Sequence, residues 1–326
     1  MKKIYGNEYL LKTLESMCCN GRAAHTVLFY GEKGLGKKLL AKYYCTLLLC
    51  ENPENGKPCG RCNSCKNADK GFHPDIVYAE ASGKLGGYSV DTARAICTDA
   101  FIRPNNSSGR KIYIFTDCHN MDPRTQNTLL KIIEEPPEYA YFIFTTESKS
   151  DFLPTIISRC ACFALSPCTS EQSAAALSEE NYSEAEIKSA VDCFHGNIGM
   201  CLKYLSDENL KHIVDLTKSA ADSIIRRDEY LLNVTLFSLG KDRNSVRSAL
   251  SMLDWLIRDA AVLSIDPAAD TAGCWRDGAV QLSRMLMPSQ AAAIHRCIEK
   301  AWYTVECNVN IPLTLSAMCG EIIGNI

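Results

Sequence analysis

The sequence has no apolar run long enough to cross a bilayer, which takes about 20 consecutive residues. Its N-terminus, MKKIYGNEYLLKTLES, carries two lysines and then turns polar within a few positions, so it lacks the continuous apolar core of a signal peptide. Both absences argue against export and point to a cytoplasmic protein with no membrane partner. No internal repeat and no low-complexity tract breaks the chain. Charge of one sign is also lacking: 35 Lys and Arg stand against 38 Asp and Glu, a formal net charge of −3. That excludes a protein that coats nucleic acid by bulk charge and leaves room only for a local basic face. With 46% hydrophobic and 22% charged residues over 326 positions, the chain can bury ordinary cores in two to three domains.

Cysteine is abundant, at 18 residues. In a chain expected to stay in a reducing compartment these are thiols or metal ligands, because a disulfide framework belongs to short secreted chains. Cys50, Cys59, Cys62 and Cys65 stand out in CENPENGKPCGRCNSC, with the spacing C-x8-C-x2-C-x2-C. Thiolates take Zn²⁺ tetrahedrally, and C-x2-C turns bring two sulfurs to one ion. Gly56, Pro58 and Gly60 supply the turns. Four sulfur ligands leave no open position, so the zinc expected here is structural. The others, such as Cys18, Cys19, Cys160 and Cys162, have no such spacing and read as buried thiols.

Three regions differ in pattern. Over residues 1–165, short runs rich in Val, Ile, Phe and Tyr alternate with helical stretches. The runs are HTVLFYG (25–31), DIVYAE (75–80), KIYIFTD (111–117), YFIFTT (141–146) and ACFAL (161–165), and they fit strands buried on both faces of a parallel sheet. GKKLLAKYYCTLLL, VDTARAICTDAF and PRTQNTLLKIIEE supply the intervening helices, so an α/β layered domain is predicted. Residues 166–210 read as a small helical domain, with Thr169 or Ser170 capping its first helix and a Ser183–Glu186 capping box opening its second. Residues 211–326 read as a further helical bundle with long amphipathic stretches such as NSVRSALSMLDWLIRDAAVL.

Chemistry concentrates at FYGEKGLGKKLL (29–40). Gly31, Gly34 and Gly36 let successive backbone N–H groups converge on a phosphate at the positive end of a helix, and Lys37 would reach the β- and γ-phosphates. A glycine-rich strand-to-helix turn with no ligand is the plainer alternative. Catalysis needs a Ser or Thr after the lysine to hold Mg²⁺, and this chain has Lys38. Its ammonium either points inward and repels the metal or points to solvent and leaves the site one ligand short. A second magnesium-handling element should close a later buried strand as Asp-Glu. IYIF-Thr116-Asp117-Cys118-His119 is the candidate, and Asp117 sits where the metal-binding aspartate belongs. Cys118 replaces the carboxylate that would polarise water, and a neutral thiol is a poor substitute. Two catalytic groups are missing, which suggests an abandoned active site.

These residues resemble the clamp-loader subunits of bacterial DNA polymerase III, both the delta-prime and the gamma/tau types. The matching stretches are HTVLFYG (25–31), HPD (73–75), NTLLKIIEEPP (127–137), FIFTT (142–146) and LPTIISRC (153–160), then DWLIRD (254–259) and NVNIPLTL (308–315). The resemblance implies an AAA+ fold: a nucleotide-site domain over 1–165 with a zinc module inserted at 50–65, a helical lid over 166–210, and a collar over 211–326. The collar would join subunits in a hetero-oligomeric ring. It implies that Arg159, in Ser158-Arg159-Cys160, is an arginine finger presented to the ATP of a neighbouring subunit. An arginine at that position would also favour the negative end of the helix read in DFLPTIIS. A lid sensor arginine of the ATPase subunits falls on Gly199 of Gly196-Asn197-Ile198-Gly199, a third loss.

The implied protein is a delta-prime-like, non-hydrolysing stator, part of the DNA-directed DNA polymerase (nucleotidyltransferase) holoenzyme in the nucleoid region. Its implied partners are the gamma/tau ATPase subunits, the delta subunit, the sliding clamp and primer–template DNA. Arg94, Arg103 and Arg110 are candidate DNA contacts and equally ordinary surface charges. Lys37 and the loop glycines either are relics or hold ATP without turning it over. The rivals are a working gamma/tau-like ATPase that tolerates Lys38, and a nucleotide-regulated scaffold unconnected with replication.

Overall fold

The alternation of apolar runs and helices over the first half of the chain builds a single parallel sheet. The computed structural model describes residues 3–82, 87–240, 242–307 and 309–326. Met1 and Lys2 of the N-terminal stretch and Asn308 of NVNIPLTL lie outside the described residues. The chain divides into two compact units, Met1–Cys168 and Thr169–Ile326.

The first unit runs α1 (Glu8–Cys19), β1 (Thr26–Tyr30), α2 (Lys37–Leu49), α3 (Asn63–Lys70), β2 (Ile76–Tyr78), α4 (Val90–Asp99), β3 (Lys111–Phe115), α5 (Pro123–Glu134), β4 (Ala140–Thr146), α6 (Pro154–Ile157) and β5 (Ala161–Ala164). All strand pairs are parallel and the order is β2-β3-β4-β1-β5. Each residue of β3 and β4 is buried, while the edge strands β2 and β5 are half-exposed, as apolar runs covered on both faces require. Side chains alternate between two cores. Phe29 joins Leu10, Leu14, Leu40 and Tyr44 of α1 and α2 on one face. Leu28 joins Ala93, Ile96, Leu129 and Ile132 of α4 and α5 on the other. Aromatic stacks tie β3 to β4, with Tyr113 5.2 Å from Phe142 and Phe115 4.8 Å from Phe144 between ring centroids. Both stacks join residues that face each other across the β3–β4 pairing, and so hold its register.

The chain leaves β1 for the far edge at β2 and later passes over β1 to reach β5. Strand order therefore reverses around β1 and β4, and ligands of open α/β sheets bind at the carboxyl ends of strands at such a point. Gly31 follows β1 there.

The helix expected in DFLPTIIS is shorter than the pattern suggests. Asp151 lies outside it, and Leu153 is extended (φ −60°, ψ 142°) before the single turn α6. The cause is Pro154, whose ring disfavours helical geometry at the preceding residue and which itself starts α6 at its first position. Asp151 instead closes a reciprocal cap with Ser148. Two helices, α1 and α3, were not marked by the periodic pattern.

The second unit is helical among its described residues: α7 (Ser170–Leu177), α8 (Glu184–Phe194), α9 (Ile198–Ser206), α10 (Glu208–Ile225), α11 (Glu229–Phe237), α12 (Arg243–Ile265), α13 (Arg276–Met285), α14 (Pro288–Glu306) and α15 (Ile311–Gly324). Thr169 with Gln172 boxes the start of α7, and Ser183 with Glu186 that of α8. Long α12 is the hub, packed against α10, α13 and α14. In DWLIRD, Leu256 and Ile257 enter the core, and the buried Asp259 carboxylate accepts N–H bonds from Ala272 and Gly273 (2.6 Å for the latter). A buried carboxylate needs such partners. No helix among the described residues is long and apolar enough to cross a membrane.

Candidate functional site

The turn after β1 is built by glycine where side chains cannot go. At Gly31 (φ 148°) a Cβ would stand 2.7 Å from the Leu165 carbonyl oxygen. Gly36 caps α2 in the left-handed region (φ 83°, ψ 20°) with open space around it, so only its backbone angle demands glycine. Gly34 also has positive φ (93°). Lys37 begins α2 and is 7% exposed. Its Nζ donates to the Gly31 carbonyl (2.6 Å) and the Glu32 carbonyl (2.8 Å), so the ammonium lies within the loop. Burial lowers its pKa, against the attraction of Glu147 and Asp117.

Lys38 turns toward the candidate metal position, as the inward alternative had it, and there it meets a partner that the sequence did not name. Its Nζ lies 2.5 Å from a carboxylate oxygen of Asp117, with the two side chains 62% and 51% exposed. It neither points to solvent alone nor merely leaves a ligand out, but engages the carboxylate proposed for the metal. Asp117 stands in the left-handed region (φ 55°, ψ 53°), just beyond β3, and its N–H donates to Thr145 Oγ1 of β4 (3.0 Å). That bond fixes it at the carboxyl end of the sheet, 79 residues from Lys38 in sequence. Cys118 is fully buried, its thiol directed to the Phe115 carbonyl (3.5 Å), and burial drives its pKa far up. It stays a neutral thiol aimed into the core, unable to take a proton from water. His119 is exposed.

Ser158, Arg159 and Cys160 follow α6, whose Ile156 is fully buried and anchors the turn. Ser158 and Arg159 are exposed, while Cys160 turns inward and burial pushes its thiol up to about 12. Arg159 Nη1 donates to the Thr155 carbonyl (2.9 Å) and Ser158 Oγ (3.1 Å), and Nη2 lies 2.8 Å from Glu134 Oε1 at the end of α5. The carbonyl contact is the helix-end role that the sequence allowed. Glu134 was not singled out in the sequence, since nothing in NTLLKIIEEPP shows which of its acids meets an arginine 25 residues on.

The four cysteines converge. The sulfurs of Cys50, Cys59, Cys62 and Cys65 all lie within 4.8 Å of one another, with Cys59 to Cys65 at 4.0 Å. A tetrahedral ion with 2.3 Å bonds to sulfur needs sulfurs about 3.8 Å apart, so the set fits. An Asn55-Gly56 turn with both residues at positive φ folds the module back, and a Cβ on Gly56 would meet Cys19 Sγ of α1 at 2.9 Å. Backbone N–H groups already point at the sulfurs: Cys59 to Cys50 (3.3 Å), Cys62 to Cys59 (3.4 Å) and Cys65 to Cys62 (3.3 Å). The N–H groups of Arg61 and Cys62 hold the Cys59 thiol down to about 6, whereas burial raises Cys50 and Cys65. A cation would offset that burial by taking thiolates. These residues could hold a metal ion.

The arginines named for DNA separate on inspection. Arg94 pairs with Asp91 (3.4 Å) and Arg103 is exposed. Arg110 reaches inward to the Leu48 carbonyl (2.8 Å) and over the Tyr141 ring.

A glycine loop at the reversal of a parallel sheet, a lysine folded into that loop and a carboxylate beyond β3 define a P-loop-type α/β domain, one in which that carboxylate is paired with a lysine ammonium. A family model described as DNA polymerase III, delta subunit, matches residues 6–169, and the chain belongs to that family. DNA polymerase III subunit tau of Bacillus subtilis is 33% identical over 168 residues, 52% of this chain and 29% of that protein. DNA polymerase III subunit delta' of Escherichia coli is 29% identical over 276 residues, 84% of this chain and 80% of its own length. The chain thus spans less than a third of the tau relative and most of the delta' one. A solved gamma subunit-related protein of Thermotoga maritima aligns at a TM-score of 0.43 and 15% identity, covering 97% of this chain and 99% of its own. A likeness that loose adds nothing to the reading of the site.

Proposed function

We propose that this protein is a delta-prime subunit of a bacterial clamp loader: a stator that does not hydrolyse ATP and lends Arg159 to the ATP site of a neighbouring gamma/tau subunit while the sliding clamp is loaded onto primed DNA. In this reading residues 1–165 are the AAA+ nucleotide-site domain, 166–210 the lid with Gly199 in place of a sensor arginine, and 211–326 the collar that joins the ring. The delta subunit, the clamp and primer–template DNA complete the assembly. Zn²⁺ held by Cys50, Cys59, Cys62 and Cys65 staples the 50–65 module, a structural role for a closed ligand set.

The observation that carries the proposal is the Lys38–Asp117 pair. Hydrolysis in P-loop proteins depends on Mg²⁺ held between the loop and a carboxylate beyond a neighbouring strand, and on a group that orients water. Here the carboxylate is matched by the chain's own cation, and the water-orienting position is a buried thiol. Arg159 remains exposed.

Mixing the protein with ATPase subunits from the same cell tests this. Arg159→Ala should sharply lower DNA- and clamp-stimulated hydrolysis while the assembly stays intact, and equal rates would remove the finger. The second reading, a gamma/tau-like ATPase, is favoured by the complete glycine loop with Lys37 folded into it and by the tau relative. It predicts turnover by the isolated protein that Lys37→Ala abolishes.

A further inference from the structure

We propose that Glu134 is a latch on Arg159, holding the guanidinium in a resting position from which it must be released to meet a neighbour's triphosphate. The inference rests on the finger reading above and adds its regulation.

The geometry is local to one corner. α5 ends at Glu134, and Arg159 follows the single turn α6. Nη2 is 2.8 Å from the Glu134 carboxylate, and Nη1 is spent on the Thr155 carbonyl and the Ser158 hydroxyl. A guanidinium carries its donors in a rigid planar fork, and a phosphate is gripped through two parallel N–H bonds of that fork. Both Nη nitrogens, the end-on edge of that fork, are already engaged. The Thr155 and Ser158 partners are neutral and belong to the turn that carries the arginine, so they are lost whenever the side chain extends. Glu134 is different: it sits on another element and brings a full negative charge that competes with phosphate for the same cation.

Strength is matched to release. The Arg159 and Glu134 side chains are 39% and 43% exposed. Ion pairs in such surroundings are screened by solvent and worth little, so the contact can open without disturbing the fold. Neither side chain belongs to the buried core, and Ile156 anchors the turn independently. Glu134 is therefore a positioning residue, acting through Arg159 and touching no substrate.

The test uses the protein assembled with its ATPase partners, Mg-ATP, and neither DNA nor clamp. Glu134→Gln keeps the shape and removes the charge. It should raise the unstimulated ATPase rate about two- to five-fold at low salt, the range an exposed ion pair can supply. The difference should shrink toward wild type at about 0.5 M salt, where screening weakens the pair in the wild-type protein as well. Glu134→Asp, which keeps the charge, should stay nearer wild type. Glu134→Gln combined with Arg159→Ala should match Arg159→Ala alone, because a latch has no effect without its bolt. Equal rates for Glu134→Gln and wild type at low salt would overturn the latch, as would a fall or an added loss in the double variant. If Arg159→Ala itself runs at the wild-type rate, the finger fails and the latch with it. If Arg159→Ala is slow and Glu134→Gln unchanged, only the latch fails.

Discussion

Two of the exposed ion pairs on the first unit are nearly the same in geometry. Lys38 meets Asp117 at 2.5 Å and Arg159 meets Glu134 at 2.8 Å, each with side chains between about two-fifths and three-fifths exposed. Under the proposed function their consequences are opposite, because the working member differs. In the first pair it is the carboxylate, and an ammonium from the first turn of α2 matches it. In the second it is the cation, and on the proposed reading a carboxylate restrains it only until a stronger anion arrives. Contact distance alone does not say which site is closed and which is available. Under the proposed function, what decides is the charge each site would have to supply to a triphosphate: a metal-binding anion at its own loop, a cation at another's.

The hardest blow to this comparison comes from Arg159→Ala. An arginine finger is worth on the order of 10³ in rate at the site it serves. Stimulated ATPase of the assembly should drop by that site's whole contribution, while size-exclusion elution is unchanged. A variant with full activity would leave the second pair an ordinary helix-end contact.

Next in size is the metal. Stripping the four-cysteine cluster with a chelator, or changing Cys62→Ser, should lower the thermal midpoint of the protein by several degrees, and metal analysis should find one zinc per untreated chain. Cys62 both lines the cluster and caps α3 through its sulfur, so the serine variant loses a ligand and keeps a capping oxygen. The cluster lies outside both ion pairs. The ratio of wild-type to Arg159→Ala rates should survive partial metal loss, and a ratio that collapses would tie the module to the finger.

A smaller effect separates the loop's two kinds of glycine. Gly31→Ala forces a Cβ against the Leu165 carbonyl at 2.7 Å and the Leu35 side chain at 3.2 Å, whereas Gly36→Ala meets open space and pays only for its backbone angle. Chemical denaturation should show Gly31→Ala as the costlier, by about 2–3 kcal/mol against about 1 kcal/mol. The reverse order would mean that the loop relaxes away from Leu165.

Much of the fold was legible in the sequence. The five strand runs fall within a residue or two of the strands observed, because continuous apolar runs between glycines and polar turns have few other uses in a doubly covered sheet. The four cysteines converge as their spacing implies. The sheet order was not legible, since parallel strands can be shuffled without changing the pattern that marks them. Neither were the two ion pairs. Lys38 reaches a partner placed by the end of a different strand, and Glu134 reaches one placed by a turn that Pro154 cut short. Both depend on where elements end in space, and an end shifts by a residue or two for reasons local sequence does not carry. Cys118 was half legible: the thiol was plain, and its burial required the turn at Asp117 to be seen.

The smallest expected effect is also the most discriminating. Lys38→Thr removes the ammonium and installs the hydroxyl that metal-binding loops carry at this place. Folding stability should change by less than about 1 kcal/mol, because the pair is more than half exposed on both sides. Nucleotide affinity should change in its dependence on magnesium. A fluorescent ATP analogue titrated with and without the ion should show no gain from magnesium in the wild type and a few-fold gain in Lys38→Thr, since Asp117 is then unmatched. Hydrolysis should remain undetectable, because the thiol of Cys118 stays buried whatever stands at position 38. A wild type that already gains from magnesium would show that Asp117 is not closed by Lys38, and the contrast between the two ion pairs would dissolve. A Lys38→Thr protein that hydrolyses ATP would locate the loss of chemistry in a single residue and turn the site from abandoned to merely blocked.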